Sequence, residues 1–168
     1  MSMFKELLAI KRFREGQAEL RVARERTSHQ QAELARVAAQ ETLERFRIEA
    51  AERELGMYAD LCSRVVKPRD IEDVMQGVAT LRDTEHQREK DVERADDHVD
   101  HTLAALATAR ESHRLATRMT EKFVELAQIH LDQHLREQEY KEDQEMEEAA
   151  SVRRDREDWE EHAEVDLE

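Results

Sequence analysis

Pro68 is the only proline in 168 residues, and only Gly16, Gly56 and Gly77 accompany it as turn-formers. A fold of many short elements needs a breaker at every corner, and this chain does not have them. Two long helices meeting at Pro68 remain. The proline cannot extend an incoming helix, because it lacks the N–H and its ring clashes one turn back. It is well suited to the first position of a new one. Asp70 and Glu72 then place negative charge in the first turn, where the helix dipole favours it. The expectation is all-α: a helix over 3–65, a turn at about 66–70, and a second helix over 69–136 or beyond. The two pair as an antiparallel coiled-coil hairpin of residues 1–136, followed by an acidic tail, 137–168, that is helix-prone or disordered.

Composition agrees. Of the 39% of residues counted as hydrophobic, 21 are Ala, while aromatics make up 4%. A thick core cannot be filled from such a supply. A narrow helical seam can, since it needs two or three apolar residues in seven. The single cysteine, Cys62, allows no disulfide within the chain and fits a reducing compartment. No apolar run approaches a membrane span, and the N-terminus moves straight into charge rather than forming a secretory signal.

The formal net charge is −14. Residues 1–70 hold 14 Lys/Arg against 12 Asp/Glu, whereas residues 137–168 hold 4 against 15. Nucleic acid is a poor partner for this surface, because phosphate contact needs clustered cations. Direct insertion into an anionic membrane is equally disfavoured.

Apolar residues of the first half recur at alternating steps of three and four: Phe13, Leu20, Ala23, Leu34, Val37, Ile48, Ala51, Leu55, Tyr58, Cys62, Val65, with lapses at Gly16, Thr27, Gln30, Glu41 and Glu44. This is the coiled-coil period. A second series runs through Ile71, Val74, Val78, Leu81, Val92, Val99, Leu103, Leu106, Leu115, Met119, Phe123 and Ile129. Equal rise on both helices puts facing residues at numbers summing to about 137. Leu34 would then face Leu103, Val37 Val99 and Tyr58 Val78. Ile48 would meet the polar band near Arg88–Lys90. The tail has no partner on the first helix, and its sparse apolar residues (Tyr140, Met146, Val152, Trp159, Val165, Leu167) predict fraying unless it is bound.

The eight histidines do not assemble a recognisable metal motif. His130 and His134 lie one turn apart, but Leu131 stands where a metalloprotease helix carries Glu. No phosphate loop, nucleophile elbow or Cys pair is present. No catalytic residue, metal site or cofactor is expected, and the chain reads as non-enzymatic.

Two regions suit contact with partners. Residues 1–26 carry Lys5, Lys11, Arg12, Arg14, Arg21, Arg24 and Arg26 against four Glu, with more apolar residues than one stripe can bury. Around the turn, Val65, Val66, Ile71, Val74, Met75, Val78 and Leu81 cluster: they close the hairpin, and those that a two-helix tip leaves uncovered, such as Val66 and Ile71, form an exposed apolar patch of the kind that usually marks a contact.

The segment Phe4-Lys-Glu-Leu-Leu-Ala-Ile-Lys-Arg-Phe-Arg14, the two long charged helices and the junction Val65-Val-Lys-Pro-Arg-Asp-Ile-Glu-Asp-Val74 resemble the YscO/FliJ-type stalk proteins of bacterial type III secretion and flagellar export. The resemblance covers residues 1 to about 135, and the acidic tail departs from it. It implies a cytoplasmic, non-catalytic hairpin at the inner-membrane export apparatus. Its open end would enter the pore of the hexameric secretion ATPase and stimulate it, with Lys5, Lys11, Arg12, Arg14 and Arg21 as contacts. Its turn end would reach the cytoplasmic domain of the export gate protein through Ile71, Val74, Val78 and Leu81. Some members of the family also engage secretion chaperones. Two other readings fit the same residues: a coiled-coil adaptor or chaperone, and a structural homo-oligomer in which hairpins form a four-helix bundle.

Overall fold

The structure is a computed structural model. It describes the backbone of residues 2–165, with the side chains of residues 2, 158 and 160–165 left out; of the apolar tail residues named above, Leu167 and the side chain of Val165 lie outside the described residues. Two helices make up the fold: α1 (Ser2–Cys62) and α2 (Pro68–Val165). Among the described residues there is no strand, and no residue has positive φ.

The corner sits slightly earlier than the sequence suggests. α1 stops at Cys62, and Ser63–Lys67 form the link. The Ser63 N–H is shared between the carbonyls of Ala59 and Asp60, at 3.1 and 3.4 Å. Its hydroxyl donates to the Asp60 carbonyl at 2.9 Å, satisfying the last turn without a glycine. Lys67, just before the proline, is pushed out of the helical region. It caps α2 instead: its N–H donates to Asp70 Oδ2 at 2.8 Å, the reach-back half of a capping box.

The chain divides into two compact units, Arg14–Ala116 and Met1–Phe13 with Thr117–Glu168. The first holds the turn and is an antiparallel helix pair. Its α1 members are covered at Ala18, Val22, Glu25, His29, Ala32, Arg36, Ala39, Leu43, Phe46, Ala50, Glu54, Met57 and Leu61, in steps of three and four. On α2 the covered positions include Val74, Val78, Leu81, Glu85, Val92, Val99, Thr102, Leu106 and Ala109.

The period is therefore the expected one, but the α1 stripe is not. Leu20, Leu34, Val37, Ile48, Leu55 and Tyr58 are 45–70% exposed. The true seam lies two residues along, roughly 200° around the helix. α1 carries two heptad stripes on nearly opposite faces. The one with larger apolar residues turns outward, and the one of Ala, His, Arg and Glu with occasional Leu and Phe turns to α2. Small residues let the two backbones approach closely, and the long polar ones bury their stems and bridge at the edges.

Register follows. The numbers of cross-helix partners sum to between 131 (His29 with Thr102) and 136 (Arg47 with Glu89), a little below the expected 137. Val99 belongs to the seam as anticipated, but Val37 does not: it is exposed, whereas Ala32, Arg36 and Ala39 are covered. The fully covered interior is thin: Ala32, Leu43, Val78, Val99, Leu106 and Ala109 are the buried apolar residues.

In the second unit, Phe4, Leu7, Leu8 and Lys11 of α1 are partly covered, as are Thr117, Thr120, Phe123, Ala127 and Leu131 of α2. Beyond Leu131, α2 continues as unbroken helix to Val165, and every described side chain there is exposed. Helix propensity and one-turn pairs such as Arg153 with Glu157 at 3.6 Å support this stretch.

Candidate interaction surfaces

The basic residues near the N-terminus divide by exposure. Lys5, Arg12, Arg14 and Arg21 are exposed. Lys11 is partly covered, and its Nζ lies 4.9 Å from the centre of the Phe123 ring, a cation–π contact that ties it to α2. It belongs to the seam as much as to the surface. Phe4 packs its ring 4.7 Å from that of His130. Between them lies a cleft of about 250 Å³ lined by Phe4, Lys5, Leu8, Val124, Ala127, Gln128, His130 and Leu131. His130 is thus occupied by an aromatic contact. Among the described residues, no three His, Cys, Asp or Glu side chains come together to hold a metal ion.

At the turn, the structure sorts the expected contact residues. Val78 is 8% exposed and is core, so it cannot present a contact surface; that expectation is corrected. The neighbouring Gly77 shows how tight the packing is, because a Cβ there would stand 3.2 Å from the Met57 thioether. Val74 and Leu81 are half-buried against α1. Ile71 remains exposed, and Val65 and Met75 join it, Val65 at 98%. The exposed apolar tip is therefore Val65, Ile71 and Met75. In the same link Val66 is partly covered, so the two neighbouring valines are sorted by the path of the link and not by residue type.

The polar band of α2 has a function that periodicity missed. Arg47 crosses from α1, its Nε donating to Glu85 Oε1 and its Nη2 to Glu89 Oε1, both at 2.8 Å. Glu44 adds a third carboxylate, 3.3 Å from Nη1. The hydrogen bond to Glu85, then that to Glu89, raises the Arg47 pKa. The hydrogen bond from Arg47, aided by His86, holds the Glu89 carboxyl below its ordinary value. Ile48 does not meet this band at all, because it is 62% exposed on the other face. Further along, Arg36 lies 3.9 Å from Asp96, its buried Nε lacking a hydrogen bond.

Paired helices with a thin seam and their larger apolar and charged side chains turned outward define a helical-hairpin protein whose chemistry is that of contact. The family model described as type III secretion protein YscO matches residues 4–152. The chain belongs to the YscO family of type III secretion proteins, a component of the secretion apparatus rather than a member of an enzyme family. In fold it is similar to the crystal structure of type III secretion protein YscO from Vibrio parahaemolyticus, with a TM-score of 0.84 and 24% sequence identity, covering 88% of this chain and 92% of that one. No curated protein matches the chain. The family match runs past residue 137, so much of the acidic stretch that departs from the resemblance lies inside the family's own span. No helix among the described residues is long and apolar enough to cross a membrane.

Proposed function

We propose that this protein is a stalk and coupling component of a type III secretion export apparatus, stimulating the hexameric secretion ATPase and linking it to the export gate. The match to the YscO family over residues 4–152 carries this reading. Two features support it. Arg12, Arg14 and Arg21 stand exposed on α1, ready for acidic loops of a ring pore. Val65, Ile71 and Met75 give the turn an exposed apolar tip suited to a second partner, the cytoplasmic domain of the gate protein. The protein is non-catalytic, uses no cofactor, works in the cytoplasm at the inner-membrane apparatus, and offers its outer faces to secretion chaperones.

The test is the hydrolysis rate of the purified cognate ATPase with and without this protein. Stimulation is expected. It should be lost in Lys5→Glu/Arg12→Glu and in Arg14→Glu/Arg21→Glu, while helicity by circular dichroism stays intact, since charge reversal at exposed sites rarely costs more than about 1 kcal/mol. An unchanged ATPase rate with the native protein would favour a helical adaptor instead.

A further inference from the structure

The outward stripe of α1 is a second coiled-coil seam without an occupant in the hairpin. Leu20, Leu34, Val37, Ile48, Leu55 and Tyr58 keep the steps of a heptad while remaining 45–70% exposed, on the face opposite α2. Two shallow hollows follow one another along it. One, of about 410 Å³, is lined by Gln30, Glu33, Leu34, Arg36 and Val37. The next, of about 430 Å³, is lined by Val37, Gln40, Glu41, Glu44 and Arg45. Both flank Val37, which lies near the midpoint of the stripe.

Charge along this face is polarised. The exposed charges are Arg21, Arg24 and Arg26 at one end, giving +3, and Glu49, Glu52 and Arg53 at the other, giving −1; Glu25 and Glu54 are covered on the seam side, where Glu54 pairs with Arg82. Among the described residues, Arg21, Arg24 and Arg26 have no ion pair within the chain, and Glu49 has only its neighbour Arg53, at 3.9 Å. A stripe that is apolar for most of its length, broken at Thr27, Gln30, Glu41 and Glu44, and that is basic at one end and acidic at the other is complementary to itself when reversed. The geometry points to a second copy of this chain as the occupant. The two α1 helices pack antiparallel about a two-fold axis near Val37, with Leu34 and Val37 of each copy at the centre and residues 21–26 of one copy beside 49–54 of the other. This is an isologous contact, which closes at two copies. A parallel pairing would set Arg against Arg at one end and Glu against Glu at the other, so charge selects the direction. The contact goes beyond the stalk reading and does not depend on it.

The experiment is sedimentation equilibrium of the full chain across a wide concentration range, with chemical cross-linking. A concentration-dependent dimer is expected. Leu34→Glu/Val37→Glu should weaken it by roughly a hundredfold or more, because four further carboxylates would replace the apolar centre of the contact, close to Glu41 and Glu44. Circular dichroism should show the hairpin helices intact. Arg24→Glu/Arg26→Glu should also weaken the dimer, and adding Glu49→Arg/Glu52→Arg in the same chain should restore it. Direction is read in a Cys62→Ser background with a short bis-maleimide. Val37→Cys should cross-link to itself. Leu55→Cys should not, since an antiparallel partner carries its own position 55 roughly 50 Å away. A monomer at all concentrations, a dimer indifferent to Leu34→Glu/Val37→Glu, or efficient Leu55→Cys cross-linking would each overturn the proposal.

Discussion

The imidazole of His29 on α1 and the hydroxyl of Thr102 on α2 meet 3.1 Å apart, Nδ1 to Oγ1, in the partly covered seam. Thr102 has one proton and gives it to the Val99 carbonyl at 2.9 Å, so towards His29 it can only accept. While that bond is made, His29 Nδ1 is the donor across the gap; if the hydroxyl turns to His29, the roles reverse. Its Nε2 faces Glu33 at 3.6 Å. One polar layer thus helps to specify the cross-helix register, much as a buried polar residue does in other coiled coils.

Thr102→Val keeps the shape of the side chain but removes the acceptor. Loss of the bond should cost about 1 kcal/mol. Ring-nitrogen shifts of His29 in NMR should differ between the native protein and the variant, because Nδ1 loses its partner. Identical spectra for the two proteins would contradict the assigned bond.

The two stripes of α1 make opposite demands on Leu43 and Leu34. Leu43 is 7% exposed and Leu34 is 70%. Leu43→Ala should destabilise the hairpin by about 2 kcal/mol or more. Leu34→Ala should stay within about 0.5 kcal/mol in dilute solution. Chemical denaturation of both variants measures the contrast, and a reversal would return the seam to the outer stripe.

Glu89 gives a pH dependence whose sign is fixed. Its carboxyl titrates lower in the folded protein than in the unfolded chain, chiefly through the hydrogen bond from Arg47. The unfolded state therefore binds its proton first as pH falls. The stabilisation is present above the ordinary carboxylate range and is lost as pH drops below it. Glu89→Gln should flatten the melting temperature against pH between about 5 and 3. Added salt should shrink the effect in the native protein, because the pair is exposed to solvent.

At the turn, burial separates closure from contact. Val78→Asp should lower the melting temperature sharply, since it places a carboxylate in the core. Val65→Asp and Met75→Asp should leave melting nearly unchanged and abolish pull-down by the gate protein's cytoplasmic domain. Retained binding in both surface variants would count against the proposed gate contact at the tip.

The two-helix plan, its hinge near Pro68 and the heptad period were legible because few breakers and a simple repeat leave little choice. The identity of the α1 stripe was not. Periodicity weighs a Leu or Phe above an Ala, so Leu34 and Val37 outvoted Ala32 and Ala39. In a two-helix seam, closeness of approach decides as much as side-chain size does. Two stripes with the same period also cannot be told apart by period alone. Arg47 was hidden for a related reason: a charged residue on an otherwise polar band reads as solvated until its partners are seen across the gap. Nearness to a turn does not imply exposure for Val78, because the seam reaches almost to the tip.

The thin interior has a mechanical consequence. No large side chain among the described residues is fully enclosed, and each buried position in Arg14–Ala116 is held by the few residues directly across from it and one turn along. Stability of this kind is summed along a line instead of being shared by a common centre. Such a protein should breathe in short lengths: one stretch of seam can part while the next stays shut, and amide exchange should be graded from layer to layer. A component built this way can yield to a moving neighbour at one level without transmitting collapse to the rest.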